Sequence, residues 1–163
     1  MSTKDNLKNA FEGESWANRK YLAFAKKANE DSHTQVASLF RAMAESEAVH
    51  AKNHLKILGD VLSTKENITY ARDLEAHVST EMYPQMIEEA KKEGNSQAAQ
   101  SFEFTKEVEK GHVTLCQKAL DNLGKNEIID YYICQNCGDI AEASTPDTCP
   151  VCKAPQTEFM KIS

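Results

Sequence analysis

Long apolar runs are missing from this chain. None approaches the roughly 20 residues that a bilayer-spanning helix needs, and the opening segment MSTKDNLKNAFEGES holds no apolar core of the kind a secretory signal carries. Positive charge is in deficit too: 19 Lys and Arg stand against 25 Asp and Glu, a formal charge of -6. Nucleic acid and anionic membrane both demand clustered cations; no basic stripe is visible, so neither is an expected partner. These absences lead to the expectation of a cytoplasmic protein. Proline and cysteine are scarce over residues 1 to 130 and concentrated after them, with three of the four Pro beyond residue 140 and four of the five Cys between 134 and 152. A stretch rich in Ala, Glu, Lys and Leu thus gives way to a loop-rich, thiol-rich tail. In the cytoplasm, paired thiols hold metal or do redox work more often than they form structural disulfides.

Periodicity of threes and fours predicts four long helices. The first, over about 4 to 30, carries Leu7, Phe11, Glu14, Asn18, Tyr21, Ala25 and Ala28 on one stripe. The second, about 33 to 59, carries Val36, Phe40, Met43, Glu47, His50, His54 and Ile57, with Gly59 placed to end it. Ser63 and Glu66 have the spacing of a capping box opening the third, whose stripe runs Ile68, Ala71, Glu75, Val78, Met82. Pro84 falls inside that helix, where a kink or local break is expected. Gly94, Asn95 and Ser96 separate it from a fourth helix running to about Leu123. Four such helices bury their stripes most simply as an all-α four-helix bundle.

The stripes carry more than apolar residues. QVASLF (35 to 40) leads into Glu47 and His50, and QAAQSF (97 to 102) leads in the same phase into Glu109 and His112. Glu14 lies 33 residues before Glu47, and Glu75 lies 34 before Glu109. The chain reads as two copies of one helix pair, each offering a lone inward Glu and a Glu-x-x-His. The i, i+3 spacing puts Glu and His on one face, where both reach one centre. Four inward carboxylates without counter-charge would cost several kcal/mol each; two divalent cations cancel them, the ligand arithmetic of a dinuclear carboxylate site. His54, one turn beyond His50, is either a further ligand or a core histidine. His33 is read as a helix-start residue, His77 as structural and off the stripe, and Cys116 as a small apolar filler.

The tail contains Cys134-x-x-Cys137 and Cys149-x-x-Cys152, four thiolates for one tetrahedral ion, iron or zinc. A tail this short cannot build a sufficient core, so the metal must contribute much of its folding free energy. A zinc ribbon is the structural alternative.

FEGESWANRKY around Glu14, ESEAVHAKNH around Glu47 and His50, EMYP at 81 to 84, the Glu109 to His112 motif, and the CQNCG and CPVC knuckles occur in this order along the whole chain. In this the chain resembles the rubrerythrin family. The resemblance implies a ferritin-like di-iron bundle at 1 to 124, a linker at 125 to 131 and a small rubredoxin-like β/loop domain at 132 to 163. It further implies a non-haem peroxidase that reduces hydrogen peroxide to water, with electrons from a donor reductase or rubredoxin relayed through the tetrathiolate centre. Two non-haem irons would sit on Glu14, Glu47, His50, Glu75, Glu109 and His112, and one iron, with zinc as a substitute, on Cys134, Cys137, Cys149 and Cys152. Tyr21 and Tyr83 match family tyrosines that hydrogen-bond the ligand carboxylates. Because GKNEIIDYY is short, a homodimer with contact between one subunit's tetrathiolate site and the other's di-iron site is also implied.

Two positions depart from the family pattern. Three residues after Glu75 the family has a further Glu, which trades places with the first pair's His as iron moves on oxidation; here Val78 cannot coordinate. Either His50 stays bound in both states or the second metal is held less tightly, and Glu81 is turned too far round the helix to substitute. Lys153 stands where rubredoxins often have Gly, at a modest strain cost if that backbone needs positive φ. Iron oxidation or storage by the same bundle, and a non-catalytic metal-binding module with a zinc ribbon, are the alternative functions.

Overall fold

The computed structural model describes residues 2–162. Helix α1 spans Thr3–Glu30 and starts on a capping box in which Ser2 and Asp5 satisfy each other's backbone N–H. Helix α2 spans Thr34–Leu58. His33 occupies its N-cap position without a side-chain hydrogen bond, and Gly59 ends it at φ 73°, a left-handed conformation that glycine adopts without steric cost. Helix α3, Thr64–His77, opens on the expected Ser63–Glu66 capping box.

The expected irregularity near Pro84 takes a particular form. Val78–Met82 is a π-helical turn, and α4 resumes over Tyr83–Lys92 with Pro84 in its first turn. Tyr83 N–H reaches back to Val78 O. Proline needs no N–H partner at a helix start, so the break lies before it. A π turn holds one residue more than an α turn, which shifts the stripe: Ser79, not Val78, becomes fully buried, and Tyr83, Ile87 and Ala90 follow it inward. Helix α5, Ser96–Asp121, is capped by the Asn95 side chain, which accepts from Ala98 N–H.

The tail forms a three-stranded antiparallel sheet of β1 (Tyr131–Cys134), β2 (Ile140–Glu142) and β3 (Phe159–Ile162), in the order β2-β1-β3. Ile133 pairs with Ile140 on one side and Met160 on the other.

Two compact units divide at Leu62 and Ser63. In Met1–Leu62, α1 and α2 meet along a seam of small residues, Ala25, Ala28, Ala37, Ala44 and Ala51, which lets the backbones approach closely. Phe24 and Phe40 pack edge to face beside the seam, centroids 5.5 Å apart. In Ser63–Ser163, α3, the π turn and α4 pack along α5, with Ile87, Ala90, Ala99 and Val108 buried between them. The small sheet belongs to this second unit and touches α5 through β2.

Candidate metal centres

In the first unit, Glu14 from α1 and Glu47 and His50 from α2 bring one ligand atom each within 4.8 Å of one another. His50 Nδ1 lies 2.9 Å from Glu47 Oε2 and 4.0 Å from Glu14 Oε1. In the second unit, Glu75 from α3 and Glu109 and His112 from α5 converge in the same way. His112 Nδ1 lies 2.7 Å from Glu109 Oε2 and 3.8 Å from Glu75 Oε1. The internal repeat of the sequence is therefore a repeat of geometry: the imidazole faces its own helix's Glu closely and the partner helix's Glu about an ångström further out.

Both sets fit a cation. Among the described residues, none of the four carboxylates pairs with Lys or Arg. Burial, then the Glu109 charge and a shared hydrogen bond with Glu109, raise the pKa of Glu75 above the usual carboxylate value, with His112 opposing. A divalent ion between two carboxylates crowded this way would offset their repulsion. The four Glu side chains are 16–31% exposed, His112 25% and His50 49%.

Tyr83 sits close enough to feel Glu109 and Glu75; burial first, and those charges after it, raise its pKa. Its ring packs on Phe102, centroids 6.1 Å apart. Tyr21 packs against Phe24 and Phe40 at 6.3 and 6.2 Å, and its hydroxyl makes no hydrogen bond among the described residues. His54 keeps a buried Nδ1 without a protein partner among the described residues. Half-buried Val78 opens the π turn, while Glu81 is exposed and faces His77 at 3.5 Å. Cys116 is half-buried, its thiol pushed up by burial and then by the Glu75 charge.

The four tail cysteines converge as well, their sulfurs all within 4.8 Å of one another. Cys134 and Cys152 lie 3.7 Å apart and Cys137 and Cys149 3.5 Å, against the edge of about 3.8 Å for a tetrahedron with 2.3 Å metal–sulfur bonds. The two knuckles are built alike: Gly138 N–H returns to Cys134 O at 2.8 Å, and Lys153 N–H to Cys149 O at 3.0 Å. Both residues after the second Cys have positive φ, 87° at Gly138 and 64° at Lys153. Burial raises the Cys137 and Cys149 thiols. Burial acts the same way on Cys152, but hydrogen bonds from the Asn136 side chain and Ala154 backbone prevail and bring it to about 7.

Three residues near these centres make contacts not expected from the sequence. Asn18, one turn after Glu14, donates across to Ala44 O at 2.7 Å, tying α1 to α2. Its place on the stripe was the available signal. Asn136 and Asp139 engage the cysteine sulfurs, Asp139 by accepting from Cys149 Sγ at 3.6 Å; polar residues beside a knuckle are too common for sequence to single out.

Comparison with known proteins gives consistent results. The family model "Rubrerythrin" matches residues 5–120, and "Rubrerythrin, rubredoxin-like domain" matches residues 132–160. Rubrerythrin-2 of Clostridium acetobutylicum is 32% identical over 174 residues, covering 96% of this chain and 95% of that protein. Nigerythrin of Nitratidesulfovibrio vulgaris is 32% identical over 172 residues, covering 97% of this chain and 85% of its own length. The solved structure of fully reduced, all-ferrous nigerythrin superposes with a TM-score of 0.61 at 30% identity, covering 99% of this chain and 87% of that one. The expected class therefore holds: ferritin-like helices followed by a small three-stranded rubredoxin-like region.

Proposed function

The chain belongs to the rubrerythrin family, and from that membership we propose that it is a non-haem di-iron peroxidase reducing hydrogen peroxide to water. One observation carries the reading: a Glu and a Glu-x-x-His converge twice, in matching geometry, in a chain that also gathers four thiols at metal-binding distances. Glu14, Glu47, His50, Glu75, Glu109 and His112 hold two irons, whose charge balances the four carboxylates. Iron held there would supply metal-centred redox chemistry, in its ferrous form the two electrons that, with two protons, turn one peroxide into two waters. The functional modules are the bundle of 1–124, the linker of 125–131 and the tetrathiolate module of 132–163.

The side chains divide the remaining work. The two histidines present Nδ1 atoms beside carboxylate oxygens. Burial and the neighbouring Glu109 raise the Glu75 pKa, a crowding that a cation between the two carboxylates would relieve. Tyr83, whose pKa burial and the neighbouring carboxylates raise, is assigned as an O–H donor to the ligand carboxylates during the reaction, and Tyr21, which makes no such bond among the described residues, as its counterpart in the first pair. Cys134, Cys137, Cys149 and Cys152 hold one iron, with zinc as a substitute, and hydrogen bonds to their sulfurs tune its potential. Electrons enter this module from a donor reductase or rubredoxin. A cytoplasmic homodimer with contact between one subunit's tetrathiolate site and the other's di-iron site remains part of the proposal.

Anaerobic mixing of the reduced, iron-loaded protein with hydrogen peroxide tests the proposal. The expected result is stoichiometric re-oxidation of both centres, the red ferric thiolate colour returning, and sustained turnover with an electron donor. Rapid reaction only with oxygen and added ferrous iron would instead make it an iron-oxidising protein. A colourless, inert product would make it a zinc-bearing binding module.

A further inference from the structure

His112 points Nδ1 at Glu109 and Glu75. As a metal ligand through that atom it must carry its ring proton on Nε2, and such a proton is normally given to a carboxylate, a carbonyl or water. Nε2 is buried and has no protein partner among the described residues. His112 lines a cleft of about 230 Å³ together with Thr114 and Leu115 of α5 and Asp139 and Ile140 of the thiolate module. That is ample for water, which needs about 10–15 Å³. Thr114 already donates its hydroxyl proton to Lys110 O at 3.2 Å. Among the described residues lining the cleft, Asp139 alone brings a carboxylate, and one of its oxygens accepts from Cys149 Sγ. The cleft is held together from one side: Lys118 Nζ on α5 lies 2.9 and 2.8 Å from the two oxygens of Glu142 on β2.

We propose that water in this cleft links His112 Nε2–H to the Asp139 carboxylate, making Asp139 a positioning residue for His112. The docked thiolate module thereby sets the tautomer and ring orientation of a ligand in the neighbouring carboxylate cluster, within one chain. The proposal rests on the assignment of Glu75, Glu109 and His112 as metal ligands. It is separate from the chemistry at the metal, because Asp139 acts through a hydrogen bond and touches no substrate.

The test uses the full chain loaded with zinc, which is diamagnetic and inert to peroxide, and nitrogen-15 NMR of labelled histidines. The expected result is the Nε2–H tautomer for His112, with that proton exchanging about tenfold faster in Asp139→Ala, as loss of a hydrogen bond to a charged group implies, while the His50 signals stay in place. Asp139→Asn, whose amide oxygen still accepts, restores slow exchange. Asp139 also meets Cys149, so Lys118→Glu serves as a second variant remote from both metal clusters. It should speed exchange in the same way, and pairing it with Glu142→Lys should restore the wild-type rate. An Nδ1–H tautomer, or a His112 proton that ignores both Asp139→Ala and Lys118→Glu, overturns the proposal. Zinc analysis separates the two levels: zinc on the cysteines but none on the Glu and His residues overturns the ligand assignment and this inference together. Full zinc with an unresponsive His112 overturns this inference alone.

Discussion

Replacing Glu75 by Gln should stabilise the metal-free protein and destabilise the metal-loaded one. Glu75 and Glu109 share a hydrogen bond, and their side chains are only 26% and 16% exposed. Two full charges about 4 Å apart would repel by about 4 kcal/mol at an effective dielectric constant of 20. Solvent access and the shared proton reduce this to about 1–2 kcal/mol, comparable with the 1.36 kcal/mol of a single pKa unit. The sign follows from the raised pKa of Glu75. A carboxyl that holds its proton more tightly when folded contributes its full stability below its unfolded pKa. That contribution is lost as pH climbs through the raised folded value. Gln removes the loss, so the variant should match wild type near pH 4 and exceed it at pH 8. At about 2–4 °C per kcal/mol for a chain of this size, the gain at pH 8 is about 2–8 °C, read by far-UV circular dichroism after chelation. At a hundredfold excess of metal over its Kd, wild type gains about 2.7 kcal/mol and the variant less, so the order reverses. Equal increments at pH 4 and pH 8, or an unchanged order with metal present, would refute the assignment of Glu75 and Glu109 as a crowded pair waiting for a cation.

Three further variants probe other parts of the chain. Lys153→Gly removes a left-handed backbone strain at φ 64°, worth about 1 kcal/mol, and should slow metal loss from the tetrathiolate module in chelator; faster loss would count against it. Asn95→Ala deletes the N-cap of α5 and should lower stability by about 1 kcal/mol, measured by urea unfolding of the second unit, with no change in metal content. Tyr83→Phe should leave iron stoichiometry intact and reduce peroxide turnover about tenfold or more; unchanged turnover would reduce Tyr83 to aromatic packing on Phe102.

Helix ends were legible because their chemistry is local: Ser63 and Glu66 cap α3, and Gly59 closes α2, wherever the rest of the chain lies. The ligand clusters were legible because the same spacing occurs twice, and i, i+3 neighbours share a face regardless of tertiary context. The π turn was legible only in part. Pro84 marks a disturbance, but whether a helix absorbs it by kinking or by accommodating an extra residue depends on packing against α5, so burial of Ser79 in place of Val78 could not be read from periodicity.

The surplus residue carried by Val78–Met82 also sets the two repeats apart mechanically. An unbroken coil such as α1 has one possible phase along its length. A coil bearing a wide turn has several, because the surplus can pass from one position to the next by exchanging single hydrogen bonds. Only the step that carries the surplus past Tyr83 would swing it, by about 100° around the axis while Glu75 stays in place, so the phenol's seat beside the acid pair depends on the wide turn lying before it.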